Sequence, residues 1–153
     1  MVHRAMLKLV LPLACAWAKK HESIILRDGA ALSSNQILDA RRIGIVAPER
    51  VRLLRVDQVP PRHPVLRLAG RKMGFISDST IGLTLRYGIF IRSDHWGDRS
   101  LVVHELAHTA QYERLGGIRP FLKAYLLECI TPPGYPFGAL EQEAQKIEYD
   151  LCV

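Results

Sequence analysis

The chain has 153 residues, 48% hydrophobic and 24% charged, enough to bury one core but little more, so a single domain over 1–153 is expected. Its three cysteines, Cys15, Cys129 and Cys152, are odd in number and form no CxxC pair, which speaks against a disulfide framework and against a thiolate zinc site. The net charge of +6 lies before Ser100, where Lys and Arg outnumber Asp and Glu by 17 to 8, while from Ser100 onward the acids lead by 7 to 4.

The basic excess is mostly arginine: Arg41, Arg42, Arg50, Arg52, Arg55, Arg62, Arg67, Arg71 and Arg86. Few aromatic residues stand between them to stack on bases, so they read as solvated surface and no nucleic acid is expected as a partner.

At the N-terminus, His3, Arg4 and Lys8 precede an apolar run, Leu9 to Ala18, ending in Ala-x-Ala spacings. The run resembles a short leader and is too short to span a bilayer. Met6, Val10, Leu13 and Trp17 also form one helical stripe, and a helix packed on the core is the preferred reading, although Pro12 weakens it. The compartment and the oligomeric state stay open.

Ser33 and Ser34 can cap a helix over Asn35 to Arg42, with Ile37 and Leu38 on its apolar side and Gly44 to end it. Val51 to Val56 reads as a strand, with Leu53-Leu54 breaking the period of two as a bulge would. Val59 to Pro64, VPPRHP, reads as a loop, and Thr80 to Arg92 as two short strands with a turn at Tyr87-Gly88.

Leu101 to Gly117, LVVHELAHTAQYERLGG, follows. Asp98 or Ser100 can cap a helix here, and Gly116-Gly117 can stop it. Inside it His104, Glu105 and His108 form HExxH, a spacing that puts two imidazoles on one helix face with a carboxylate beside them, as a zinc ion and its general base are held. The flanking residues are uncharged, so Glu105 is an isolated acid in an apolar setting. Pro120 suits the first turn of a further helix carrying Phe121, Leu122, Tyr125 and Leu126 up to Ile130, which Pro132-Pro133-Gly134 ends. A last helix runs from Leu140 to Leu151.

A catalytic zinc takes three protein ligands and keeps a position for water. A third histidine in the pattern HExxHxxGxxH is excluded, because Gln111 stands at the glycine and Arg114 at the histidine. An acid from a later helix is then required, Glu141 or Glu143, with Glu128 ranked third, and Glu105 is the base. Gln111, Tyr135 and Tyr149 read as ordinary helix or structural residues, and His95 as a turn residue.

HELAHTAQYERLGG, then FLKAYLLE and GYPFGALEQEA, resemble zinc metallopeptidases of the glutamate-zincin type, in particular the small bacterial HExxH domain associated with extracellular contractile injection systems. The resemblance spans Ile89 to about Glu148 and leaves the first eighty-odd residues uncovered. It implies peptide-bond hydrolysis, zinc as cofactor and a peptide or protein as substrate. It also implies an E-x-x-A-D pattern over Glu141-Gln142-Glu143-Ala144-Gln145, which favours Glu141 as third ligand. Gln145 departs from the aspartate that would orient a ligand histidine, so weaker zinc binding or slow chemistry is expected.

The expected architecture is α+β: a small antiparallel sheet packed on helices in a minimal zincin-like core. Strand Gly88 to Arg92 is expected to offer its edge to an extended peptide. The expected activity is that of a zinc metallopeptidase with His104, His108 and Glu141 as ligands and Glu105 as base. The alternatives are a non-catalytic zinc-binding accessory or interaction domain and, behind it, a basic nucleic-acid-binding module.

Overall fold

A computed structural model describes residues 2–59, 64–74, 77 and 79–153. The chain opens with α1 (Val2–Asp28), β1 (Ala30–Ala31), α2 (Ser34–Ile43) and β2 (Arg52–Val56). It continues with α3 (Pro64–Met73), β3 (Gly82–Leu85) and β4 (Gly88–Arg92), then closes with α4 (Arg99–Leu115), α5 (Ile118–Ile130) and α6 (Ala139–Cys152). The architecture is α+β, as expected. Of the VPPRHP loop, 60–63 lie outside the described residues.

The sheet is mixed, which corrects the antiparallel expectation. Its order is β1-β2-β4-β3, and the central pair β2 and β4 runs parallel, from Arg52 opposite Gly88 to Val56 opposite Arg92. The reason lies in the connection: between β2 and β4 the chain makes α3 and then β3, a crossover long enough to return β4 alongside β2 in the same direction. The ladder is unbroken at Leu53-Leu54, so there is no bulge. Leu53 packs on one apolar cluster and Leu54 on the other, because both faces of the strand are covered. A doubly covered strand reads as a continuous apolar run, which explains the lost alternation.

The same alternation sorts β4. Phe90 faces the cluster built from α1, α3 and α5, whereas Ile89 and Ile91 face the cluster that takes Ala40 of α2 and Leu101, Val102 and Leu106 of α4. β4 lies between β2 and β3, so its edges are both paired and cannot take a peptide. The outer strand on that side is β3.

In α1 the buried stripe is Leu7, Val10, Leu11, Cys15 and Ala18. It is rotated from the expected one: Met6 and Trp17 are half-buried and Leu13 is exposed beside Pro12. Proline at an exposed position can be tolerated inside a helix where packing on the other face holds it. No helix among the described residues is long and apolar enough to cross a membrane.

The α2 caps are those expected. The Ser33 side chain accepts from Gln36 N while Gln36 returns the bond to Ser33 N, and Gly44 ends the helix at φ 101°. Its buried face is Asp39 and Ala40 rather than Leu38, because Asp39 receives two hydrogen bonds from Arg99 of α4. Helix α3 was not among the expected elements, although Leu66, Ala69, Gly70 and Met73 recur at helical spacing behind a first-turn proline.

The β3–β4 turn falls on Arg86-Tyr87, one residue earlier than expected. Gly88 is needed elsewhere: a Cβ there would stand 2.9 Å from Ile25 Cβ of α1, so the glycine permits close approach of helix and strand. Arg86 takes the left-handed conformation instead, at φ 63°. It is held there by a two-pronged ion pair with buried Glu22, which also accepts from Tyr87 N, and by its carbonyl accepting from the Thr109 hydroxyl at 2.7 Å.

Candidate metal centre

Helix α4 begins at Asp98, whose side chain accepts from Leu101 N at 3.3 Å, and ends at Gly116 with φ 100°. Between these caps Val103, Leu106 and Ala107 are fully buried, so the helix is fixed in rotation. The spacing of four then places His104 and His108 side by side, ring centres 5.0 Å apart, facing α6.

Glu141, in the first turn of α6, meets both histidines. Its Oε1 lies 3.0 Å from His104 Nε2 and its Oε2 3.3 Å from His108 Nε2. The three residues offer ligand atoms within 4.8 Å of one another and could hold a metal ion. Glu143 is directed elsewhere, toward both arms of Arg114 and the Gln111 amide. Glu128 caps α6 by accepting from Leu140 N at 3.0 Å.

The outer nitrogens of both histidines are already spent. His104 Nδ1 lies 3.0 Å from Glu148 Oε2, and His108 Nδ1 lies 2.8 Å from Gln111 Oε1. Both partners are acceptors, so each imidazole donates from Nδ1 and turns an unprotonated Nε2 toward Glu141 when neutral. Three acceptors then converge on one space, an arrangement that only a cation or a proton relieves.

The electrostatics agree. Burial alone would push the His104 imidazole down, but the Glu141 hydrogen bond and the charges of Glu105, Glu141 and Glu148 outweigh it and raise it to about 9. Burial likewise opposes ionisation of Glu141, yet the two histidines hold it well below the usual carboxylate range. Without metal, a proton takes the cation's place. Tyr125 adds a hydrogen bond to Glu141 Oε2 at 2.9 Å.

Two of these supporting residues were missed by sequence reasoning. Gln111, an ordinary helix residue on the sequence reading, is 1% exposed. Its amide nitrogen donates to Leu140 O and Glu143 Oε2, which fixes its oxygen on His108. Its position three residues after His108, on the same face, was the available signal. Glu148 stands where Gln145 was expected to fail. Gln145 is exposed and accepts a hydrogen bond from Gln142, whereas Glu148, two turns after Glu141 on the same face of α6, reaches His104 and is held by the Ser100 hydroxyl. The orienting carboxylate is therefore present, and the expected weakness from Gln145 loses its basis. Glu148→Ala should weaken metal binding about 10- to 100-fold, with Gln145→Ala near wild type, as read by competition against a chromophoric chelator.

Glu105 is buried beside the triad. The Thr84 hydroxyl of β3 lies 2.6 Å from Glu105 Oε2 and 3.0 Å from its main-chain oxygen, and donates its one proton to either. The other carboxylate oxygen, Oε1, lies over Gly82, where a Cβ would come within 2.6 Å of it. Gly82→Ala should therefore displace the carboxylate while leaving fold and metal content intact, and any reaction in which Glu105 takes part should slow about 100-fold. Zinc analysis beside a rate measurement checks this.

The triad and Glu105 sit in a cleft of about 590 Å³ walled by β3, α1, α3 and α5. Tyr135 lines it, and burial together with the charges of Glu141 and Glu105 pushes its phenol up to about 12. Tyr149 is 65% exposed and His95 pairs with Asp94 and Asp98; neither lines the cleft. The chain matches no protein-family model, no curated protein and no solved structure.

Proposed function

We propose that the protein is a zinc-dependent hydrolase of the metallopeptidase type, with His104, His108 and Glu141 holding the ion and Glu105 as general base. The observation that carries this reading is the convergence of two Nε2 atoms and one carboxylate beside a second buried carboxylate that ligates nothing. A zinc ion held by this set supplies Lewis acidity toward a carbonyl and lowers the pKa of water.

The chain's own residues divide the remaining work. Thr84 holds Glu105 Oε2, so Oε1 is the atom that accepts and later returns a proton. Glu148 and Gln111 keep both imidazoles in the tautomer that presents Nε2. Tyr135 stays protonated at neutral pH and is the donor in the cleft for a developing oxyanion. The outer strand β3 lines the same cleft and offers its edge to an extended peptide.

The test is metal analysis of the purified full chain together with cleavage of a mixed peptide library. One zinc per chain with cleavage supports the reading. Zinc without cleavage of these unmodified peptides removes peptide-bond hydrolysis and leaves the metal site standing, and absence of stoichiometric metal after reconstitution sinks both.

A further inference from the structure

The cleft extends beyond the metal site into a space that the ligands and the base do not use. Its far walls are α1, α3 and α5, and it stays open because small residues face it: Ala14 and Ala18 on α1, Ala69 and Gly70 on α3. Leu66 and Leu122 complete an apolar lining. Although the chain carries 21 Lys and Arg, none lines the cleft among the described residues. The charged lining residues are Asp98, Glu105, Glu141 and Glu148, on α6 or on α4 and its cap, and none comes from α1, α3 or α5.

Size and polarity together select an occupant. A cavity of about 150 Å³ already holds a benzene ring, and the whole cleft, metal end included, measures about 590 Å³. The outer strand β3 can partner the amides of a peptide lying along its edge, but a run of peptide between α1, α3 and α5 would meet helices whose own main-chain groups are bonded within each helix. Each amide left without a partner costs roughly 1–3 kcal/mol. A hydrocarbon chain has no such groups.

We propose that this space seats a long acyl chain, so that the substrate of the hydrolase proposed above is an acylated molecule whose chain lies between α1, α3 and α5, close to the bond that is cleaved. The inference rests on that reading of the metal site. The polar end of the cleft receives the acyl carbonyl, and the apolar end receives the chain.

Straight-chain hydroxamic acids test it, since the headgroup binds zinc and the tail samples the cleft. The zinc-loaded full chain is titrated calorimetrically with aceto-, hexano- and decanohydroxamic acid and with phenylpropanohydroxamic acid, below micelle-forming concentrations. Affinity should rise about fourfold per methylene that finds room, with decanohydroxamic acid the tightest. In Ala14→Phe and Ala69→Phe the ratio of decano- to acetohydroxamate affinity should collapse at least tenfold. If either variant fails to fold, the wild-type length series decides alone. Acetohydroxamate binding with no gain from longer tails overturns the proposal, and so does a gain that ends at the phenylpropano compound, which marks a pocket for one side chain. If zinc is absent and no hydroxamate binds, the metal reading itself has failed and the proposal falls with it.

Discussion

Glu105→Gln is expected to retain one zinc per chain and to lose hydrolysis by two to four orders of magnitude, the usual contribution of a positioned general base. The substitution is nearly isosteric, and its amide oxygen can still accept from the Thr84 hydroxyl that holds Glu105 at 2.6 Å, so the side chain keeps its place and loses only its basicity. Metal is retained because Glu105 is not among the three converging ligands. The Glu105 charge is one of those that raise His104, so its removal eases deprotonation of that ligand and does not oppose zinc at neutral pH. The measurement pairs zinc content with single-turnover cleavage. Equal cleavage by variant and wild type would remove Glu105 from the chemistry, and loss of zinc would make it a structural partner of the triad.

Zinc is expected to raise the melting temperature by about 10 °C when free metal exceeds its Kd about 1,000-fold, since such binding adds about 4 kcal/mol and a chain of this size gains roughly 2–4 °C per kcal/mol. Glu141→Ala should abolish the shift. The metal-free protein should respond to pH in the opposite sense to the loaded one. His104 is raised from 6.5 to about 9, so its protonated form stabilises the fold fully below 6.5, and that contribution is lost as pH climbs through 9. Glu141 is lowered from 4.5, so its contribution is full above 4.5 and is lost as pH falls further. The metal-free protein is therefore most stable, as far as these groups decide, between about pH 4.5 and 6.5. Zinc competes with the His104 proton, and its stabilising shift should grow from pH 6.5 to 9. Melting scans with and without chelator across that range give the answer; a metal-free protein that strengthens toward pH 9 would contradict the proton-for-metal exchange.

The parts of the fold legible in the sequence are those governed by local chemistry. The limits of α2 and α4 follow from Ser33 with Gln36, Asp98, Gly44 and Gly116, each acting within a few residues. The HExxH spacing is equally local, and it places both histidines on one face whatever else the chain does. Selection of Glu141 over Glu143 came from a resemblance, and its physical basis appears only in three dimensions, where Arg114 and Gln111 occupy Glu143. Glu148 reaches His104 across 44 positions and Thr84 reaches Glu105 across 21, and no spacing rule encodes either. The parallel pairing of β2 with β4 escaped notice for a related reason: α3, which begins the crossover, was not recognised, and two adjacent strands without it read as a meander.

The turn at Arg86 carries a consequence for how the molecule assembles. Arginine does not favour a left-handed turn by itself, so the β3–β4 ladder is joined at its turn by contacts from outside the segment. Closure draws on Glu22, 64 positions earlier in α1, and on Thr109, 23 positions later in α4. The strand whose Thr84 holds Glu105 is therefore tied at its turn to both the first helix and the motif helix. Truncating or loosening α1, which supplies no ligand, should leave the HExxH helix without its strand.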